Sequence, residues 1–174
     1  QWYYRDDVTN PCPTGSSMNG WIMIPGATTN TYDPPSGLTI SRTYACLVDP
    51  TGNPDCGTGT WAAGCRKITI LPAVNYGTLT IGDQTLCNPG DPSNITFSTP
   101  PSGGNNTFDY QWYYRDDVTN PCPTGSSISG WIVIPGATTN SYDPPSGLTM
   151  SRTYSCLIDP TGSPDCGPGT WAAG

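Results

Sequence analysis

The sequence predicts an all-β chain of tandem two-sheet sandwiches with a period of 110 residues, and three observations carry that expectation. Gln1–Gly64 is written again at Gln111–Gly174 with nine changes in 64 positions, and most of them keep side-chain character: Met18 becomes Ile128, Met23 Val133, Thr31 Ser141, Ile40 Met150 and Val48 Ile158. A period of that length is the size of a domain. The chain also carries 21 Gly and 20 Pro between short apolar stretches, the punctuation of short strands, with no run long or periodic enough for a helix. Six Trp, ten Tyr and alternating Ile, Val and Leu supply a core that a disordered chain of similar composition lacks.

The elements of one full unit follow in order. Ile68–Val74 alternates and holds one Pro, as an edge strand tolerates. Gly77–Leu86 is a second strand leading to Cys87, and 88–92 is a turn. Asn94–Ser98 puts Ile95 and Phe97 on one face, and 100–106 is an exposed loop. Phe108–Asp117 is the most strand-like stretch, with Tyr110, Trp112 and Tyr114 on one face and Gln111, Tyr113 and Arg115 on the other. A loop with Cys122 leads to a short strand, Trp131–Ile134, stopped by Pro135-Gly136. A turn at 143–147 precedes Leu148–Met150, and Arg152–Asp159 alternates again with Tyr154, Cys156 and Ile158 together. A hairpin loop at 160–169 ends in a last strand from Thr170.

Seven to nine short strands per period fit an immunoglobulin-like (Ig-like) sandwich. Trp112 stands on the central strand, and Tyr154-x-Cys156 resembles the tyrosine-corner pattern of such folds. The strand at 94–98 offers no cysteine to face Cys156, so the usual inter-sheet bridge is missing or replaced. Residues 1–71 then read as the C-terminal part of one repeat, strands C to G, and 72–174 as a nearly complete second repeat joined at Leu71–Asn75. The period further predicts that Cys-Arg-Lys-Ile follows Gly174, as Cys65-Arg66-Lys67-Ile68 follows Gly64.

The net charge is −7; every acidic residue is Asp, there is no His and Lys67 is the single lysine. That balance is a poor match for nucleic acid, which needs a cationic footprint, and suits a self-repelling extracellular array. No stretch has the apolar length of a membrane span, so no membrane insertion is expected in this segment.

Eight cysteines with no His to join them in a zinc site point to disulfides and an oxidising compartment. Cys12, Cys46, Cys56, Cys65 and Cys87 fall in one period, an odd count that leaves one free or paired between repeats. The pairing we expect joins Cys87 to Cys166, which would clip the chain before one strand to a hairpin loop. Cys122 with Cys156 is the second candidate pair, and Cys46 with Cys65 competes with it. With no His to activate a thiol, a reactive cysteine is the minor reading.

Asp49, Asn53 and Asp55 around a Gly turn resemble a loose calcium loop, although Ser163 replaces Asn53 in the second copy and no Glu supplies a bidentate ligand. Solvated turn aspartates explain the same residues, so no cofactor is expected and calcium stands as the alternative. Tyr3 and Tyr113 point away from their neighbours and, with Trp21 and Trp131, are candidate ligand-facing aromatics for stacking on sugars; core packing is the simpler account of the remaining rings. Asn94-Ile95-Thr96 and Asn105-Asn106-Thr107 match the glycosylation acceptor pattern. A catalytic set is missing from the reading: there is no His, no Glu and no phosphate loop, and Asp6 and Asp7 are adjacent on a strand and face opposite ways. The chain is expected not to be an enzyme.

With Gln-Trp-Tyr-Tyr-Arg-Asp-Asp, the run from Gly20 to Leu38 repeated at Gly130 to Leu148, the Arg-Thr-Tyr-x-Cys strand and the Pro-Asp-Cys-Gly loop in view, the chain resembles the tandem Ig-like repeats of giant Bacteroidetes cell-surface adhesins and filament proteins, such as gliding-motility adhesins of the SprB type. The resemblance spans the whole chain. It implies secretion to the cell surface, an extended filament, and attachment to surfaces or polysaccharide. The expected function is a structural and adhesive repeat acting as a stalk, partnered by neighbouring repeats of its own chain. Two alternatives stand beside it: a repeat that binds surface polysaccharide through its aromatics, and a fibre subunit assembling with other copies by strand exchange.

Overall fold

The computed structural model describes residues 1–51, 57–80 and 82–174. The chain is all-β: among the described residues every regular element is a strand and every strand pair is antiparallel. It divides into two compact units, Gln1–Leu71 and Pro72–Gly174.

In the first unit, β1 (Trp2–Arg5), β2 (Ile22–Met23), β3 (Arg42–Val48) and β4 (Thr60–Trp61) form a sheet in the order β2-β1-β3-β4, and β5 (Arg66–Ile68) joins the edge of β3 beside β4. Tyr3 pairs with Ala45 and Tyr4 with Tyr44. The period of two then sends Trp2, Tyr4, Tyr44 and Cys46 to one face, and Tyr3, Arg5, Ala45 and Leu47 to the other. The cluster of buried apolar residues lies on that second face: Tyr3, Ala45 and Trp61, with Trp21, Leu47 and Cys65 packed against them.

The second unit repeats the ladder with the same register. β8 (Phe108–Arg115), β9 (Ile132–Val133), β10 (Thr153–Pro160) and β11 (Thr170–Trp171) stand in the order β11-β10-β8-β9, with Tyr113 opposite Ser155 and Tyr114 opposite Tyr154. It adds a two-stranded ribbon, β6 (Thr78–Leu79) with β7 (Phe97–Thr99). This ribbon lies on the face that carries Trp112, Cys156 and Ile158. Leu79 completes the buried cluster there, and Tyr76, Ile95, Phe97 and Tyr110 pack around it. Trp112 is fully buried, its indole N–H donating to Thr139 O at 2.8 Å.

Several expected strands are shorter than the pattern suggests. One period, residues 65–174, holds seven strands among its described residues, β5 to β11, six of them in the second unit. Of Gly77–Leu86 only Thr78–Leu79 is strand, with a register irregularity at that pair; the expected strand also runs through residue 81, outside the described residues. Leu148–Met150 makes a single antiparallel bridge, Leu148 to Gly90, instead of a strand; Pro144 and Pro145 just before it offer no N–H to a ladder. Of Ile68–Val74 only Ile68 is strand, as the end of β5. Tyr154 also departs from the tyrosine-corner pattern. Its buried hydroxyl has no well-formed hydrogen bond, and its ring instead joins a row with Tyr114 and Tyr142.

Candidate functional site

The chemistry-bearing side chains gather on the sheet face that holds Tyr3 in one unit and Tyr113 in the other. The loop that follows β1 folds back over this face because Arg5 draws it there. Its guanidinium lies 4.6 Å from the centre of the Trp21 ring and donates from Nη2 to Asn10 O at 2.9 Å and Pro11 O at 2.7 Å. Arg115 repeats the arrangement over Trp131 at 4.7 Å, donating to Asn120 O and Pro121 O. A cation over an indole contributes about 0.5–1 kcal/mol where exposed and more once water is removed.

The next residues fix the loop's path. Asp7 accepts from the Thr9 N–H and hydroxyl, each at 2.7 Å, and from the Asn10 amide, an Asx-type turn. The Thr9 hydroxyl bond is the largest of the contacts that hold the Asp7 carboxyl down to about 2. Asp117 accepts the same bonds from Thr119 and Asn120, and its carboxyl is lowered too, chiefly by the Thr119 N–H. Asp6 turns the other way and accepts from Arg42 Nε at 2.7 Å, while Arg42 lies over Tyr4; Asp116, Arg152 and Tyr114 do likewise. Adjacent aspartates therefore do different work, Asp7 closing a local turn and Asp6 pairing with Arg42 on β3.

Farther along, the loop crosses the tryptophan of the last strand. Trp61 donates from its backbone N–H to Gly15 O at 2.9 Å and from its indole to Ser17 O at 2.8 Å. Trp171 matches these bonds with Gly125 and Ser127. Tyr3 and Tyr113 lie beneath the loop, edge-on to Trp61 and Trp171 at 5.2 Å. This corrects the expectation that they face a ligand: they are 8% and 9% exposed. Trp21 and Trp131 are half-buried, each with a guanidinium over its ring. Strand alternation placed the tyrosines on the opposite face correctly; what it lacked was the cover, whose sequence signal is the arginine two residues after each tyrosine together with the downstream Trp.

The cysteines need a similar correction. Among the described residues one disulfide forms, Cys12 to Cys65, with Cα atoms 5.4 Å apart. It ties the covering loop to the chain just before β5, on the Tyr3 face. Cys46 therefore does not bond Cys65; it points to the opposite face and is unbridged. Cys122 and Cys156 are unbridged for the same reason, since Cys122 is exposed on the covering loop and Cys156 is buried beneath the ribbon. Burial pushes the Cys156 thiol up to about 12, which makes it a poor nucleophile. Cys87 and Cys166 are also unbridged: Cys87 is exposed, whereas Cys166 packs against Gly104, where an added side-chain carbon would lie 3.2 Å from its sulfur.

No family model, curated protein or solved structure matches this chain.

Of the calcium candidates, Asp49 is exposed beside Gly59, while Asn53 and Asp55, like Cys56, fall outside the described residues. Two shallow surface depressions lie side by side on the second unit, sharing Asn94 and Ser141. Asn94, Tyr142 and Asp143 line one, and Asn94, Phe97 and Tyr110 line the other. They gather two amides, Asn94 and Asn140, and one carboxylate with aromatic edges. Of the acceptor asparagines, Asn94 is exposed, while Asn105 already donates to Thr161 O at 2.8 Å.

Proposed function

We propose that the chain is a structural and adhesive repeat module of an extracellular, cell-surface filament, built from Ig-like sandwiches in tandem and acting as a stalk. One observation carries the reading. Two stretches 110 residues apart form the same ladder, the same pair of arginine–aromatic stacks and the same aspartate turns. The nine differences between the copies are mostly conservative replacements spread through the ladder and its loops. A recognition site has to exist once, whereas a spacer gains length from every copy. The edge strands β2 and β9 also hold Ile22, Met23, Ile132 and Val133 exposed in both units, apolar edges of the kind that meet other surfaces.

The test is mechanical. Concatenated copies of residues 65–174, pulled end to end, should unfold in equal steps whose number matches the number of copies. Unequal or absent steps would remove the stalk reading. The polysaccharide-binding alternative rests on Trp21 and Trp131, now that the tyrosines are covered. Cell-wall polysaccharide pulldown with Trp131→Ala as comparison tests it, and equal retention of both proteins would remove it.

A further inference from the structure

The same sheet occurs twice, and the end of one face around Ile158 that is covered in the second unit is bare around Val48 in the first, although Tyr44 on that face is buried. Ile158 is fully buried, whereas its counterpart Val48 is 55% exposed. Trp112 and Cys156 are buried where Trp2 and Cys46 are half-buried, and Ala172 is buried where Ala62 is not. The sequences differ at one of these four pairs, and only by a methylene, so composition does not explain the change. The cover does. In the second unit it is the segment 72–110, which brings Leu79, Ile95, Phe97 and Tyr110 onto the face.

The backbone records the same difference. Ile95 and Tyr142 exchange two hydrogen bonds, of 2.7 and 3.0 Å; Gly90 donates to Leu148 O and accepts from its N–H; Leu79 donates to Ala173 O and Gly77 accepts from Ala173 N–H. The equivalent backbone groups of Tyr32, Leu38 and Ala63 carry no such bonds among the described residues. Side chains and backbone thus leave vacant, in one register, the places that 72–110 fills in the other unit.

We infer that the Val48 face of the first unit is an acceptor for a segment of the 72–110 sequence, seated with its Ile95 against Tyr32, its Gly90 against Leu38 and its Leu79 against Ala63. This is β-strand addition, in which main-chain bonds give affinity and alternate side chains give specificity. The occupant is a further segment of that sequence, not a swap between two of these chains. The described residues present two such faces and one such segment, so a reciprocal exchange would cover one sheet by baring another. The inference does not depend on the stalk reading, because its test reads the first unit alone.

The test adds the segment in two ways to the whole 174-residue chain. In trans, peptide 72–110 carrying Cys87→Ser is titrated into chain labelled at valine methyls and indole nitrogens. In cis, the same segment is fused directly before Gln1, which reproduces the Tyr110–Gln111 junction. We expect saturable shifts of the Val48 methyl and Trp2 indole signals, and alkylation of Cys46 slowed by about 100-fold as its opening becomes rarer. Leu79→Asp with Phe97→Asp in the added segment should abolish both effects. Should the peptide alone precipitate, the fusion decides. An unchanged Cys46 rate in the fusion, or equal slowing by the doubly substituted segment, overturns the inference.

Discussion

At the scale of single residues, Asp7 shows how a turn aspartate acquires a measurable signature without any reaction to perform. Three donors from Thr9 and Asn10 converge on its carboxylate, and all favour the charged form. The folded carboxyl is held at about 2, below the unfolded value of about 4. The unfolded chain therefore binds the extra proton between those values, and stability rises with pH across that window. The contribution is fully present above the unfolded value and is lost as the pH falls through the folded one. Carboxyl carbon titration should place the Asp7 midpoint near 2, and Thr9→Ala should raise it towards the ordinary carboxylate range. An unmoved midpoint in that variant would mean the hydrogen bonds are not the cause. Cys156 makes the opposite case, in which burial beneath Leu79 suppresses a group. Mass-spectrometric counting after brief alkylation should find Cys87 and Cys122 labelled and Cys156 untouched until the second unit unfolds. Early labelling of Cys156 would contradict the burial.

At the scale of elements, the ribbon β6–β7 depends on how closely two backbones approach. Gly77 has a φ of +77°, and an added Cβ would stand 2.6 Å from Thr99 O. Gly136 has nearly the same φ, +76°, with nothing within 4 Å. Both alanine variants carry the left-handed backbone cost of about 1 kcal/mol, and Gly77→Ala adds a clash that overpacked sites price at about 1–3 kcal/mol. Urea unfolding of the second unit should rank Gly77→Ala well below Gly136→Ala, and equal midpoints would show that the ribbon is free to shift. How far these elements were legible follows from the range of the forces that make them. β8 and β10 were readable because alternation is local and eight residues long. β6, β7 and the segment at 148–150 were overdrawn because their pairing depends on Gly90, Tyr142 and Ala173, contacts distant in sequence. The partner of Cys65 was not legible: strand parity puts Cys46 on the face of Tyr44, but Cys65 follows a bend and a left-handed Gly64 after β4, outside any strand, so no period places it. The burial of Tyr3 was not legible from alternation, since a loop folded back by Arg5 has no period.

At the scale of the whole molecule, two effects of similar size act on the first unit in opposite directions. Its bare face forgoes the burial of Val48, Cys46 and part of Trp2 that the second unit achieves at Ile158, Cys156 and Trp112, a deficit of about 3 kcal/mol by apolar area. Against this, the Cys12–Cys65 bridge spans a sequence separation of 53, and closing a loop of that length contributes about 4 kcal/mol in the chain-entropy model. No bridge forms in the second unit. The stability of the first unit is therefore conditional on its disulfide, and that of the second on its core. Hydrogen exchange separates the two. With the bridge intact, amides of β3 and β10 should exchange within about 10-fold of each other, since the terms nearly cancel. Under reductant, β3 should exchange at least about 100-fold faster, at 1.4 kcal/mol per decade, while β10 keeps its protection. Reduction that loosens β3 and β10 together would show that the units share one folding transition. Reduction that leaves β3 unchanged would show that the sheet holds without its staple, and the bare face would then carry no stability deficit.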